Sequence, residues 1–537
     1  HIPAYSCICF RTFELGLEVM LRRVVSLPLL HVRGGAITVK RGKKTVPFNP
    51  SSPRHVCVVG SGPGGFYCAD ALLRWHPTVK VDMIEKYPFP FGLVRTGVAP
   101  DHPEVKNVTN RFEGVAESDR FRFLGNVQVG EDVSLDRLRQ HYNAVVLAYG
   151  ASSDRTLGIA GEELGNVFAA RDFVNWYNGH PDYVDLQVDL SGDAAVIVGN
   201  GNVAIDVARM LLKPIAELEK TDMTEHALEK LSKANIKDVY VVGRRGPVQA
   251  AYATAELREI AAVDGTKLVV NESDLALSEA DKVEVEKSRA MRRKMEALIK
   301  LKDDQKGKNA EKRLHLRYLL SPEEVKGEEG KARSIVFVKN RMEGPAGKQS
   351  AVSTGEVEEI GADVVFRSIG YKSTSIPGLH FDSRRAVAAN KMGRVVDANG
   401  EPDRGIYASG WLKRGPIGII GTNILDSQET ARSILEDGLN CTLPEVEGEG
   451  WDTLRQEVNK PATSFSDWKR LDEEELRRYE SPSSLSPFRP PPPTAHTRTR
   501  TRTPPPPPPP ITPPTLAHTY AHSLHTRAHI LLHSHEY

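Results

Sequence analysis

Residues 55–85 read HVCVVGSGPGGFYCADALLRWHPTVKVDMIE, and their pattern decides the fold. Val56 to Val59 form an apolar, β-branched run of the kind that makes a buried parallel strand. Gly60, Gly62 and Gly65 follow in G-x-G-x-x-G spacing. A helix is expected from about Phe66 to Trp75, then a second strand from Val79 to Ile84. Glu85 closes that strand twenty residues after Gly65. A dinucleotide-binding βαβ unit places the acid for a ribose 2′-hydroxyl at that distance. Gly60 permits the tight turn, Gly62 lets the backbone approach a pyrophosphate, and Gly65 lets helix and strand pack closely. A glycine-rich turn alone is weak evidence, but strand, turn, helix, strand and terminal acid in register form a specific signal.

The pattern recurs from Ala194 as AAVIVGNGNVAIDVARMLL, with Gly199, Gly201 and Ala204 in G-x-G-x-x-A spacing. The next strand, Asp238 to Val242, runs into GRRG. Arg244 and Arg245 therefore replace the acid of the first unit. A carboxylate accepts from a free 2′-hydroxyl and repels a 2′-phosphate, whereas a guanidinium binds that phosphate in bidentate fashion. The first turn is thus expected to hold FAD and the second NADP.

The 537 residues carry a net charge of +1 and are 40% hydrophobic. That balance suits a globular protein and argues against bulk attraction to nucleic acid. No apolar run approaches the roughly eighteen residues needed to span a bilayer. The five cysteines, Cys7, Cys9, Cys57, Cys68 and Cys441, include no C-x-x-C. No dithiol centre or iron–sulfur ligand set is visible, and Cys57, inside the first strand, reads as a buried inert thiol in a reducing compartment.

The segment from Met20, the expected start, to Arg54 contains Arg and Lys but no Asp or Glu. It reads as an organellar transit peptide, and what precedes it as upstream translation. From about Ser481 the chain becomes PPPPTAHTRTRTRTPPPPPPPITPP, with seven histidines from His496 to His535. This composition cannot bury a core, and the histidines are not spaced as a metal site.

Between these ends several segments stand out. YPFPFGLVRTGVAPDHPEVKNV, after Glu85, is expected as a long functional loop, with His102 its one imidazole. Read by itself, His102 is equally a surface histidine beside a proline. Phe121 to Val129 reads as strands around Gly125, and Ala144 to Gly150 as another buried strand. Val364 to Gly370 and Gly405 to Gly410 read as strands on the return into the first unit. Arg289, Arg292, Arg293 and Lys294 lie in a charged helical stretch, where Arg289 and Arg293 share a face. A solvated face is the ordinary reading of such a stretch, and a docking patch for an acidic partner the sharper one.

Taken together, VVGSGPGGFY, FPFGLVRTGVAPDHPEVKNV, VGNGNVAIDVAR, VGRRGP, SIGYKS, SGWLKRGPIG and SFSDW resemble the mitochondrial ferredoxin–NADP⁺ reductases of the adrenodoxin reductase type, over about residues 54–475. The resemblance implies a two-domain α/β flavoprotein of the glutathione-reductase-like class. The implied domains are an FAD domain split into 54–153 and 373–480, with an NADP domain, 154–372, inserted. Residues 1–53 and 481–537 fall outside the fold. Implied FAD contacts are Gly64, Glu85, Leu93, Val129, Trp411, Gly418, Ile419 and Ile420, alongside Gly60, Gly62 and Gly65 of the turn. Implied NADP contacts are Asn200, Gly201, Asn202, Val203, Arg244, Arg245, Glu256 and Gly418. His102 is implied as a histidine near the flavin, with Asp206 its carboxylate partner. Arg289 and Arg293 are implied to dock an acidic [2Fe–2S] ferredoxin, which favours the docking reading of that patch.

The implied activity carries electrons from NADPH through FAD to that ferredoxin. It is implied for a monomer of the mitochondrial matrix, at most peripheral to the inner membrane. Gly64 stands where alanine is common and Asn200 where glutamine is usual, and neither change removes a charge or a glycine. A monooxygenase-like flavoprotein with another acceptor, and a non-catalytic flavoprotein scaffold, are the competing readings. The first lacks its F-x-G-x-x-x-H-type signature here, and ferredoxin-dependent turnover discriminates the second.

Overall fold

In the computed structural model, residues 54–446 and 448–480 are described. The basic leader, the expected start at Met20 and the Pro/His/Arg tail lie outside the described residues. The first unit opens with β1 (His55–Val59), α1 (Pro63–Trp75), β2 (Lys80–Ile84), β3 (Phe121–Leu124) and β4 (Ala144–Leu147). Parallel pairing places β1 between β2 and β4, with β3 beyond β2. Val56 to Val59 are each no more than 5% exposed, because helices or loops cover both faces of a parallel sheet. Each buried valine contributes about 1.5–3 kcal/mol. The helix starts three residues earlier than its apolar pattern suggests, since Pro63 takes the first helical position, where its missing N–H costs nothing.

The chain then crosses on β5 (Ser153–Asp154) to a second sheet. That sheet contains β6 (Val167–Ala169), β7 (Ala194–Val198), β8 (Asp238–Val242), β9 (Thr266–Val270), β10 (Lys312–Arg317) and, later, β14 (Val364–Arg367). Its order is β6-β14-β7-β8-β10-β9, and every pairing in it is parallel. Its helices include α2 (Asn202–Leu212), α3 (Thr254–Ala261), α4 (Glu279–Lys287) and α5 (Arg289–Asp304). Between β10 and β14 lie three long strands, β11 (Leu320–Glu328), β12 (Lys331–Glu343) and β13 (Ser350–Gly361), which form an antiparallel sheet. Sequence reading passed over them. Their outer faces are charged, and only an alternating set that includes Ile335 and Phe337 is buried.

The return is made on β15 (Tyr371–Lys372), which pairs antiparallel with β5, so the outgoing and incoming connections run side by side. Next come β16 (Phe381–Asp382), β17 (Val387–Ala388), β18 (Asn390–Lys391), β19 (Arg394–Val396) and β20 (Pro402–Ala408). Strand β20 joins β4 in parallel and completes a seven-stranded first sheet of order β18-β19-β20-β4-β1-β2-β3. Two sequence expectations need correction here. The strand at Val364 does not return to the first unit. It stays in the second sheet between β6 and β7, because all of its pairing partners lie there. Phe121 to Val129 holds one strand, not a pair, and Gly125 instead bridges to Thr463.

The last long helices, α6 (Thr422–Leu439) and α7 (Phe465–Glu480), pack on the first unit. Among the described residues no helix is long and apolar enough to cross a membrane. Cys57 and Cys68 are buried, and burial pushes both thiols up, Cys68 to about 12. Both are inert, Cys57 as its strand position suggested.

The glycine turn supplies a test of this packing. A Cβ at Gly65 would lie 2.1 Å from the Gly60 carbonyl oxygen, whereas one at Gly62 meets nothing within 4 Å. Gly65→Ala is therefore expected to lower unfolding stability by about 1–3 kcal/mol in denaturant titrations, and Gly62→Ala to leave the midpoint in place.

Candidate functional site

Both glycine turns are built for a ligand that lies against backbone. Gly60 (φ +102°) and Gly199 (φ +122°) take conformations that side chains resist. The helices that follow have Gly62 and Gly201 as their N-cap residues, so no side chain caps either end. Space is open where a Cβ would stand at each of these two residues. Uncapped amides and the positive end of the helix dipole make such an end receptive to phosphate.

Around the first turn, Glu85 sits at the end of β2. It accepts from the Ser61 amide at 2.9 Å, the Ser61 hydroxyl at 2.8 Å and the Tyr87 amide at 3.1 Å. These bonds fix the carboxylate beside the glycines. The loop after Glu85 folds back onto the turn. Phe91 donates to the Ser61 carbonyl, and Gly92 stands against Gly62, which brings Leu93 to the same edge. Val129 is half-buried against the core of the first sheet.

The C-terminal part of the chain buttresses the turn from the other side. Ser409 and Ser427 hydroxyls both donate to the Gly64 carbonyl, at 3.0 and 2.9 Å, and the Gly410 amide donates to Asp426 at 2.6 Å. Trp411 follows directly and stacks on Tyr371, ring centroids 5.3 Å apart. Burial pushes the Tyr371 hydroxyl up to about 12. Gly418 (φ +90°) turns the chain just before α6, and Ile417 and Ile419 there are 75% and 72% exposed. Apolar side chains this open, next to a receptive glycine turn, suit contact with an aromatic ligand.

At the second turn, the Asn200 side-chain amide is buried against Gly243 without a hydrogen-bond partner among the described residues. Asn202 accepts from the Ala253 amide at 2.9 Å, and the Tyr252 amide donates to the Asn200 carbonyl at 2.9 Å. Val203 follows in the first turn of α2. Arg244 and Arg245 are exposed at the end of β8, and neither makes an ion pair among the described residues. Two neighbouring free guanidinium groups at this position suit a phosphate.

The two units meet at a buried charge cluster. Arg209 on α2 has no solvent exposure. Its guanidinium donates to Asp101 at 2.6 and 3.0 Å, to Asp206 at 2.8 Å and to Glu256 at 3.2 Å. Lys213 also donates to Asp101, at 2.6 Å. Asp101 thus ties the loop of the first unit to a helix of the second. Burial pushes the Asp101 carboxyl up, but bonds from Arg209 and Lys213 outweigh that and leave it below the usual carboxylate range. Burial also pushes up Asp206, to about 6, against the pull of Arg209.

His102 belongs to this cluster, but with a different partner from the one expected. Its Nε2 lies 2.9 Å from both carboxylate oxygens of Glu259 on α3. Asp206 is within 4.8 Å of a ring nitrogen but is bonded to Arg209, which takes it as a buried ion pair. Sequence reading missed Arg209, Asp101 and Glu259. The signals available were helical spacings, Arg209 three residues after Asp206 and Glu259 three after Glu256, yet nothing local shows that the two helices face one loop.

The arginine patch is where it was expected, on the exposed side of α5. Arg289, Arg292 and Arg293 are exposed, while Lys294, Met295, Ala297 and Leu298 on the other side are buried.

Residues 54–297 match the family described as pyridine nucleotide-disulphide oxidoreductase. The NADPH:adrenodoxin oxidoreductase, mitochondrial, of Arabidopsis thaliana is 44% identical over 440 residues, which cover 79% of this chain and 91% of that protein. The Bos taurus protein of the same name is 45% identical over 436 residues, covering 79% and 87%. Among solved structures, Mycobacterium tuberculosis FprA in complex with NADPH superposes with a TM-score of 0.74 at 39% identity, covering 79% of this chain and 95% of that one.

The cluster yields its own test. Arg209→Met leaves Asp206 and Glu256 without their cation and Asp101 with Lys213 alone, and is expected to cost about 3–5 kcal/mol in denaturant unfolding at pH 7.5. Without Arg209, Asp206 holds its proton above pH 6. The loss should therefore be largest above pH 7 and shrink as pH falls through 6.

Proposed function

The chain belongs to the NADPH:adrenodoxin oxidoreductase family of FAD- and NADP-binding oxidoreductases, and on that premise we propose that it passes electrons from NADPH to a [2Fe–2S] ferredoxin of the mitochondrial matrix. When bound, the two cofactors supply hydride transfer from nicotinamide to flavin and then single-electron release to the iron–sulfur protein. The observation that carries the reading is the pair of open glycine turns, one ending at a fixed carboxylate, Glu85, and the other at two unpaired guanidinium groups, Arg244 and Arg245.

In this reading residues 54–153 and 373–480 bind FAD and residues 154–372 bind NADP. The uncapped start of α1, with Gly60, Gly62, Gly64 and Gly65, holds the FAD pyrophosphate, and Glu85 accepts from a ribose hydroxyl. Leu93 and Val129 would add further contacts to FAD. Asn200, Gly201, Asn202 and Val203 hold the NADP pyrophosphate, and Arg244 and Arg245 grip the 2′-phosphate. Glu256 helps to orient the ribose while bonded to Arg209. Trp411, Gly418, Ile419 and Ile420 would contact the FAD, Gly418 also the NADP, and would help to exclude water from the reacting rings. The scheme asks nothing of the two buried, inert thiols, Cys57 and Cys68.

His102 and Asp206 hold the proton that accompanies flavin reduction. His102 Nε2 is kept in position by Glu259, and the Asp206 carboxyl exchanges a proton near pH 6. The exposed arginines of α5 receive an acidic ferredoxin surface.

The decisive experiment is NADPH-driven cytochrome c reduction with and without a mitochondrial-type [2Fe–2S] ferredoxin. A strong dependence on ferredoxin supports the proposal, and NADPH oxidation indifferent to ferredoxin overturns the choice of acceptor. His102→Gln is expected to change turnover and its pH profile in this assay, and an identical profile would remove the proton-handling role. Arg289→Glu with Arg293→Glu is expected to raise the KM for ferredoxin about tenfold or more at low salt, with the wild-type difference shrinking as salt rises. Small one-electron acceptors such as ferricyanide, which need no docked protein, should be reduced by that variant at the wild-type rate.

A further inference from the structure

One buried cation has no part in the scheme above. Lys294 lies on the inner side of α5, 9% exposed, and pairs with no carboxylate among the described residues. Its ammonium donates to the Ala250 carbonyl at 2.5 Å and stands 5.7 Å from the centroid of the Tyr252 ring. Ala250 and Tyr252 belong to the segment that leaves the Arg244–Arg245 pair and leads into α3. The Tyr252 amide is the one that bonds the Asn200 carbonyl in the second glycine turn. The same segment is held again at Gln249, whose amide donates to Asp281 of α4 at 2.7 Å. Lys294 thus fastens the stretch of backbone that joins the arginine pair to the pyrophosphate turn. It does so with a charge that no acid balances and that lies close enough to Arg245 to feel its field.

An ammonium is costly to bury unless something compensates it. A carbonyl and an aromatic face compensate it in part. Beside two unpaired guanidinium groups, the missing counter-charge is that of an anion brought by the ligand. We infer that Lys294 is a third cation of the 2′-phosphate site, a positioning residue that sets the 246–253 segment for NADP and adds its charge to that of Arg244 and Arg245. The inference rests on the reading of the second turn as the NADP site.

The site then has a pH dependence with a defined sign. Burial, reinforced by the charge of Arg245, pulls the Lys294 ammonium down to about 8. The other groups that face it are Tyr252 and, hydrogen-bonded behind it, Tyr318. Burial holds both hydroxyls protonated, pushing Tyr252 up to about 12 and Tyr318 well above the ordinary tyrosine range. A phosphate monoester completes its ionisation near pH 6. Between pH 7 and 9 the ligand charge is therefore constant, and Lys294 is the group in this pocket that titrates. Raising the pH through 8 removes its charge and weakens phosphate binding.

The test is calorimetric titration of the FAD-loaded full chain with adenosine 2′,5′-bisphosphate and with AMP, which lacks only the 2′-phosphate. For the wild type, the Kd of the bisphosphate is expected to rise about tenfold from pH 7 to pH 9, the equivalent of about 1.4 kcal/mol, while that of AMP stays constant. Lys294→Met should weaken the bisphosphate about tenfold at pH 7, leave AMP within about twofold, and abolish the pH dependence. Lys294→Arg, which keeps its charge at pH 9, should also lose the pH dependence. A bisphosphate Kd in the wild type that does not move with pH overturns the inference and needs no variant to show it. Equal weakening of both ligands by Lys294→Met also overturns it, since that reports only a damaged loop. A wild-type protein that binds the bisphosphate no better than AMP at any pH would instead overturn the NADP reading of the site.

Discussion

The guanidinium of Arg209, fully enclosed and bonded to three carboxylates, sets the relation between the two halves of this protein. Asp101 comes from the long loop after the first βαβ unit, Asp206 from the helix that opens the second, and Glu256 from the helix after the arginine pair. A buried ion pair gains little net stability over an apolar replacement, but breaking one is expensive. The cluster therefore acts as a lock. Through Asp101, Arg209 and Lys213 tie the loop that folds over the first glycine turn to the second unit's helix. His102 rides on that loop, and its bond to Glu259 is a second tie across the same junction.

Each half repeats one solution to one problem. A dinucleotide needs its pyrophosphate against bare backbone at a helix start, and that demands residues without side chains where chain and ligand approach. The first turn meets a further constraint from the far end of the sequence. Ser409 and Ser427 both hold the Gly64 carbonyl, so the turn is complete only when residues 400–430 have returned. The paired connections β5 and β15 make that return short and direct. The two halves then differ in one choice of charge, a carboxylate at Glu85 against guanidinium groups at Arg244 and Arg245, and that choice separates a ligand with a free ribose hydroxyl from one with a phosphate.

Helix α5 has two faces with different duties. Its exposed arginines face outward, and Lys294 reaches inward to the segment between the arginine pair and the second turn. The surface offered to an acidic electron acceptor and the backbone that shapes the nucleotide pocket thus share one rigid element. Helix α4 holds the same segment through Asp281, so the two consecutive helices hold it at two points.

Much of this was legible in the sequence. The two glycine spacings, the apolar runs before them and the charges after them are local patterns, and local patterns are fixed by backbone sterics and by the period of burial along the chain. Those rules located β1, α1, β2, β7, α2 and β8, and the basic face of α5. The sequence could not show that Val364–Arg367 stays in the second sheet, because a strand that is apolar on both faces carries no record of its neighbours. Nor could it show the long antiparallel strands beneath charged side chains, or Glu259, not Asp206, bonded to His102. Those outcomes depend on which distant groups reach one buried place together. Burial makes an unpaired charge too costly to leave, and only the folded chain brings Arg209, Asp101, Asp206 and Glu259 close enough to settle which of them pair.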